Sequence, residues 1–210
     1  MARSMRSYVT SQALPEAAAP GGPPAGRRDA VRNYHRIIDA AREVLGESGA
    51  DAGMEEIASR AGVGVGTVYR RFASKDALID ELLRLTTDGI VAAADQALAR
   101  TDGEGLRELL QALGQAMADH ARYANLFLHR PRASDANDAS SARIRAAIAE
   151  LTARAVAAGA IDPAVTVGDV MALIWALRGL VHATEEDTPA DWQRFLDIHL
   201  AGLRALQRSA

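Results

Sequence analysis

The chain of 210 residues contains no cysteine, which excludes a disulfide framework and any thiolate metal site. Although 49% of its residues are hydrophobic, no apolar run approaches the ~18 residues that a membrane span requires. Arg3 and Arg6 lie near the N-terminus with no apolar segment behind them. No secretory signal is therefore expected, no membrane is expected as a partner, and the expected compartment is the cytoplasm. No stretch alternates convincingly between apolar and polar residues, so the expected fold class is all-α. A glycine-rich phosphate loop, a nucleophile motif and the His-Glu-x-x-His spacing are all missing, and no cofactor is expected. His182, Glu185, Glu186 and Asp187 are metal-compatible residue types, but they fall across a helix end and a loop rather than at ligand spacing. A helical-bundle enzyme is the alternative from another function class, and the chain is expected not to be one.

The net charge of −3 is unevenly spread. Residues 27–75 carry nine Lys/Arg against seven Asp/Glu, and residues 1–26 carry two against one. Residues 76–210 carry thirteen against nineteen. Positive charge at the N-terminal end and negative charge in the remainder is the asymmetry expected of a DNA-reading head on an acidic body.

The stretch from Met54 to Leu78, MEEIASRAGVGVGTVYRRFASKDAL, organises the rest. A helix over Met54–Arg60 puts Ile57, Ala58 and Ala61 on one face. Glu55 and Glu56 stand in its first turn, where carboxylates complement the positive helix end. Gly62 is the expected left-handed residue at its C-terminus. A second helix from Val65 buries Val68 and Phe72 and turns Thr67, Arg70 and Arg71 outward. Ser74 is the expected N-cap of the next helix. Helix, glycine-bearing turn, helix is the helix-turn-helix pattern, whose second helix reads the major groove of DNA.

The motif is more specific than that pattern. Ile-Ala, Ala-Gly-Val, Gly-Thr-aliphatic-Tyr, then Phe and Ser-Lys at this spacing resemble the signature of the TetR (tetracycline-repressor) family over roughly residues 31–85. The resemblance implies a homodimeric repressor with a ligand-binding body that pairs through its last two helices, released from a near-palindromic operator by a small-molecule effector. It also implies that Tyr69 and Lys75, the chain's only lysine, contact phosphates, and that the helix after Ser74 swings when ligand binds. Two positions depart from the family pattern: Gly53 and Gly64 stand where hydroxyl residues are usual, so backbone amides would replace their phosphate contacts.

In a recognition helix of this length only three or four side chains reach base edges. Thr67, Tyr69 and Arg70 are the candidates, with Gly66 permitting close backbone approach. Arg70 or Arg71 can fork onto guanine, and a phosphate contact is equally open for both. Tyr69 has a second reading as a half-buried brace of the head. The Pro/Gly/Ala tract of residues 1–26 is expected to be a disordered arm. Arg27 and Arg28, which abut the first helix, are candidates for phosphate or minor-groove contact, as are Arg3 and Arg6.

The first helix is expected over Asp29–Glu47 and the long one over Ser74–Arg100, with Gly89 a candidate bend. Thr101 to Glu104 has capping-box spacing ahead of Leu106, Leu110, Leu113, Met117 and His120. Residues 134–141 are expected to be polar loop, followed by helices over 142–158, from Thr166 to Ala183, and from Thr188 to Gln207 with Pro189 at the first helical position. Met117, His120, Tyr123 and Phe127 are candidates for a pocket wall with one polar handle, and Met171, Trp175 and Arg178 are further candidates. The helices carrying Met171, Trp175, Arg178 and His182, and Trp192, Leu196, His199, Leu203 and Leu206, are expected to form a four-helix dimer interface. The expected domains are the arm, 1–26, a helix-turn-helix domain, 27–74, and a ligand-binding and dimerisation domain, 75–210. An alternative gives the body a protein partner in place of an inducer.

Overall fold

The computed structural model describes the backbone of residues 25–120, 135–183 and 191–204. Among these, eight α-helices follow one another without a strand: α1 (Ala25–Ser48), α2 (Met54–Ala61), α3 (Val65–Arg71), α4 (Lys75–Ala99), α5 (Gly105–His120), α6 (Asp135–Ala157), α7 (Val167–Ala183) and α8 (Trp192–Leu203). A single 3-10 turn, Gly49–Asp51, joins α1 to α2. The expected disordered arm falls mostly on residues 1–24, outside the described residues; Ala25 and Gly26 already belong to α1.

Two apolar cores form. In the head, Ile37, Ile38, Ala41, Val44 and Leu45 of α1 meet Ile57 and Ala58 of α2, Val68 of α3 and Phe72. Leu78, Ile79 and Leu82 of α4 complete this core, so it extends beyond residue 74 into the long helix. In the body, Ala94 and Ala97 of α4 join Leu106, Leu109 and Leu110 of α5, Ile148 and Leu151 of α6, Val170 and Ile174 of α7, and Leu196 and Leu200 of α8. Between Leu82 and Ala94 no residue of α4 is buried. One helix therefore belongs to both cores and is exposed or half-exposed in the middle, around Gly89.

Helix ends follow local chemistry. Ser74 Oγ accepts from the Ala77 amide at 3.1 Å and starts α4. Thr166 and Asp169 cap α7 reciprocally: Thr166 Oγ1 accepts from the Asp169 amide at 3.3 Å, and Asp169 Oδ2 accepts from the Thr166 amide at 2.8 Å, satisfying two otherwise orphaned donors. Two other expected starts are corrected. The residue before α5 is Glu104, whose carbonyl accepts from the Glu108 amide at 3.1 Å. Asp102, rather than Thr101, supplies the side-chain acceptor there, at 3.2 Å from the Glu104 amide. At α8 the cap is Asp191, accepting from the Arg194 amide at 2.8 Å. An aspartate side chain accepts from the backbone amides at a helix start as well as a serine or threonine does. Thr188 and Pro189 lie outside the described residues.

The expected loop over 134–141 is also corrected, because α6 begins at Asp135. No glycine or proline interrupts the sequence between Asp135 and Ala157. A polar first turn lacks only an apolar face, not the capacity for helical hydrogen bonds.

The body packs closely around Gly114 of α5. A Cβ there would lie 2.5 Å from the Trp192 ring and 3.2 Å from a Leu177 methyl, so only glycine lets α8 seat its first residue against α5. Gly114→Ala should force Trp192 away and cost about 1–3 kcal/mol of overpacking strain. Thermal unfolding and the near-ultraviolet dichroism of the tryptophans check this.

Candidate nucleic-acid interface

The turn between α2 and α3 is set by glycines at two different tasks. Gly62 closes α2 at φ 61°, ψ 41°. Its amide donates to Ser59 O at 3.0 Å and the Val63 amide donates to Ala58 O at 3.0 Å, which is the paired-bond stop that a left-handed residue allows. Arg36 of α1 donates from Nη2 to the Gly62 carbonyl at 3.2 Å, and a Cβ on Gly62 would collide with that guanidinium. Gly64 then adopts an extended conformation, φ −67°, ψ 142°, as the N-cap of α3, with its carbonyl accepting from the Thr67 amide at 2.8 Å. Neither Gly53 nor Gly64 supplies a side-chain cap. Arg60 braces α2 against α1 through Glu47 at 2.7 Å and Glu43 at 3.4 Å.

Helix α3 is anchored by Val68, fully buried, and by Phe72 just beyond its end. Its other side faces outward. Gly66, Arg70 and Arg71 are exposed, Thr67 is half-buried, and Tyr69 is 46% exposed. Val65, Gly66, Tyr69 and Arg70 fall on one face by helical spacing. Val65, 38% exposed, was not among the sequence candidates. Its signal was its place at the start of a recognition helix, where base contacts concentrate. A Cβ at Gly66 would meet nothing within 4 Å, so the backbone there stands open to a partner. Lys75, partly buried, is the first residue of α4. Arg28 is exposed in the first turns of α1, and the Arg27 side chain lies outside the described residues.

The two arginines of α3 differ. Arg70 makes no hydrogen bond or ion pair among the described residues. The Arg71 guanidinium lies 4.9 Å from the ring centroid of Tyr34 on α1, within cation–π range. That ring sits 6.2 Å from the Phe72 ring, and its hydroxyl donates to Glu81 Oε1 on α4. Arg84 donates to Glu81 from Nε and Nη2, each at 2.8 Å, and pairs with Asp88. Burial first, then the Glu81 hydrogen bond, pushes the Tyr34 phenol up. The Arg84 hydrogen bonds hold the Glu81 carboxyl below its ordinary value, with burial opposing.

Of the residues expected to bind ligand, the side chains of Met117, Met171, Trp175 and Arg178 are described. Met117 on α5 and Met171 on α7 both pack against the body core. Trp175, 68% exposed, and Arg178 point away from that core, because Val170, Ile174, Leu177 and Val181 occupy the inner face of α7. Tyr123, Phe127 and residues 184–187, and the side chains of His120 and His182, lie outside the described residues. An open cleft of about 410 Å³ lies where α4, α5 and α6 meet, lined by Arg100, Thr101, Leu106, Leu151 and Arg154 among others. None of the expected ligand residues lines it. Arg100 pairs there with Asp102 and Glu108. Arg154 donates to the Leu98 carbonyl at 2.7 Å and pairs with Glu150. Among the described residues no helix is long and apolar enough to cross a membrane.

A three-helix head with an outward-facing second helix of a helix-turn-helix, carried on an all-helical body, defines a DNA-binding regulator. Residues 37–82 match the family of bacterial regulatory proteins of the tetR family. Residues 103–205 match the C-terminal domain of SbtR-like transcriptional regulators. The TetR transcriptional regulator SCO0520 from Streptomyces coelicolor is 31% identical, with a TM-score of 0.62 over 81% of this chain and 97% of that one. The TetR regulatory protein from Mycobacterium vanbaalenii is 28% identical, with a TM-score of 0.63 over 85% and 98%. PfmR, a TetR-family regulator from Thermus thermophilus, shares the fold at 22% identity and a TM-score of 0.65 over 82% and 100%. A comparison with curated proteins gives no match. The chain belongs to the TetR family of transcriptional regulators.

The lowered Glu81 carboxyl makes the head's stability pH-dependent in a definite direction. Its contribution is complete above the ordinary value of 4.5 and is lost as pH falls through the lowered one. Glu81→Gln should therefore flatten part of the acid limb of the melting temperature below 4.5, measured by dichroism across a pH series. A curve that falls as steeply as the parent's would show that Glu81 contributes nothing there.

Proposed function

We propose that the chain is a homodimeric, cytoplasmic repressor that binds a near-palindromic operator and is released by a small-molecule effector held in the body. The observation that carries the DNA-reading part is the outer face of α3. Val65, Gly66, Tyr69 and Arg70 stand together on it, and Arg70 has no partner among the described residues. Arg70 reads a base, Val65 offers a methyl-sized contact to thymine, and Tyr69, Lys75, Arg28 and Arg27 contact phosphate. Thr67 borders the reading face.

Homodimerisation is supported by the outer faces of α7 and α8. Trp175, 68% exposed, and Ile198, 55% exposed, stand among the exposed small residues Ala172, Ala176, Gly179, Ala201 and Gly202. Small residues let helices approach closely, and large apolar ones fill the seam. Pairing through α7 and α8 sets two α3 helices about 34–36 Å apart, one turn of the duplex. An effector in the body acts by preferring a conformer with a different spacing. Met117 and Met171, which touch the body core from two helices, are its proposed contacts, with His120, Tyr123 and Phe127.

Selection from a pool of random duplexes at two salt concentrations tests the reading. An enriched near-palindrome, bound more weakly as salt rises, is expected. Arg70→Ala should weaken operator binding by about 1–3 kcal/mol with the dimer intact, and undiminished affinity would remove Arg70 from the reading face. Ile198→Glu should yield monomers in sedimentation velocity. A variant that still sediments as a dimer would move the interface elsewhere, and a wild-type monomer would leave this face to a protein of another kind.

A further inference from the structure

In the head, α3 packs chiefly on α2 and α4 chiefly on α1, and Phe72–Ser74 is the short connection between the reading helix and the long helix. Tyr34 of α1 touches both. One face of its ring carries the Arg71 guanidinium from the last position of α3. Its hydroxyl donates to Glu81 of α4, and Glu81 is held on its other side by Arg84, which also pairs with Asp88. The chain Arg71–Tyr34–Glu81–Arg84–Asp88 thus begins at the end of the reading helix. It finishes beyond Leu82, the last buried residue that α4 gives to the head.

We infer that Tyr34 and Glu81 are positioning residues for DNA recognition, and that Arg71 serves this linkage rather than reading a base. The hydroxyl–carboxylate bond fixes the Tyr34 ring against α4, the ring fixes Arg71, and Arg71 fixes the far end of α3. Displacement of α4 then reaches the reading face through a polar contact of defined geometry. A phenol donating to a carboxylate that two arginine nitrogens already orient has little freedom to rotate. The inference rests on the proposed reading of DNA by α3 and adds the part that holds α3 at its working angle.

The experiment uses the full chain and the operator recovered by selection, alongside a random duplex of equal length. Tyr34→Phe keeps the ring and removes only the hydroxyl; Glu81→Leu removes both carboxylate oxygens and with them the acceptor, which Gln would retain in its amide oxygen. Each should weaken operator binding about three- to tenfold, the double variant should be no weaker than either single one because the same bond is lost, and random-duplex affinity and its salt slope should stay within about twofold of the parent. Melting temperatures are recorded for every variant, and titrations are run well below each midpoint. Should either variant fail to fold, Arg84→Gln, which lies outside the head core, is expected to lower operator affinity in the same direction. Parental operator affinity in the variants, independent addition of the two effects, or an equal loss on random duplex would overturn the inference while leaving DNA reading by α3 intact. If the wild-type chain selects no sequence at all, the reading and the inference fall together.

Discussion

The structure depends on the burial of one helix in two places. Leu78, Ile79 and Leu82 tie α4 into the head, and Ala94 and Ala97 tie it into the body. A helix-turn-helix pair alone buries too little to fold, so the head needs both α1 on one side and the start of α4 on the other. The body in turn closes around the far end of the same helix through α5 and α6. The matched family regions, 37–82 and 103–205, leave out residues 83–102, which hold the exposed midsection of α4 and its Ala94 and Ala97 anchorage.

The reading face is assembled by subtraction as much as by contact. Gly53 and Gly64 cap α2 and α3 without side-chain acceptors, and Gly66 leaves open backbone on the outer face. The Gly64 carbonyl, rather than a side chain, takes the Thr67 amide at 2.8 Å. The compensating order comes from charged side chains behind the helices. Arg60 grips two glutamates of α1, and Arg36 covers the carbonyl of Gly62, where a cation also complements the negative end of α2. The head is thus rigid on its inner side and sparsely furnished on its outer one.

What was legible in the sequence was whatever local chemistry decides. Gly62 had to be left-handed because Ala-Gly-Val interrupts an apolar period, Ser74 had the spacing of a cap, and Thr166 marked the start of α7. The periodicity of α7 indicated two faces but not which one lay inside: Val170, Ile174 and Leu177 entered the core and Trp175 did not, because the packing of α5 and α8 settles that choice. Residues 135–141 were misread because polarity was taken for a loop where no helix breaker stands. The Tyr34–Glu81 bond was not legible, since its partners are 47 residues apart and meet only through the crossing of α1 and α4. The charge spacing of Glu81, Arg84 and Asp88 was the single trace it left.

The lightly packed midsection of α4 also makes the helix a mechanical arm. Its 25 residues extend about 37 Å at the usual rise, and between Leu82 and Ala94 its packing is limited to partly buried side chains such as Leu85 and Ile90. A rotation of about 5° near one end would carry the other through about 3 Å, given that length. A displacement of that size is about a full hydrogen-bond length, several times the spread that a contact with a base edge tolerates. Amplification is therefore a property of the helix's length and its two anchorages, and it requires no rearrangement within either core.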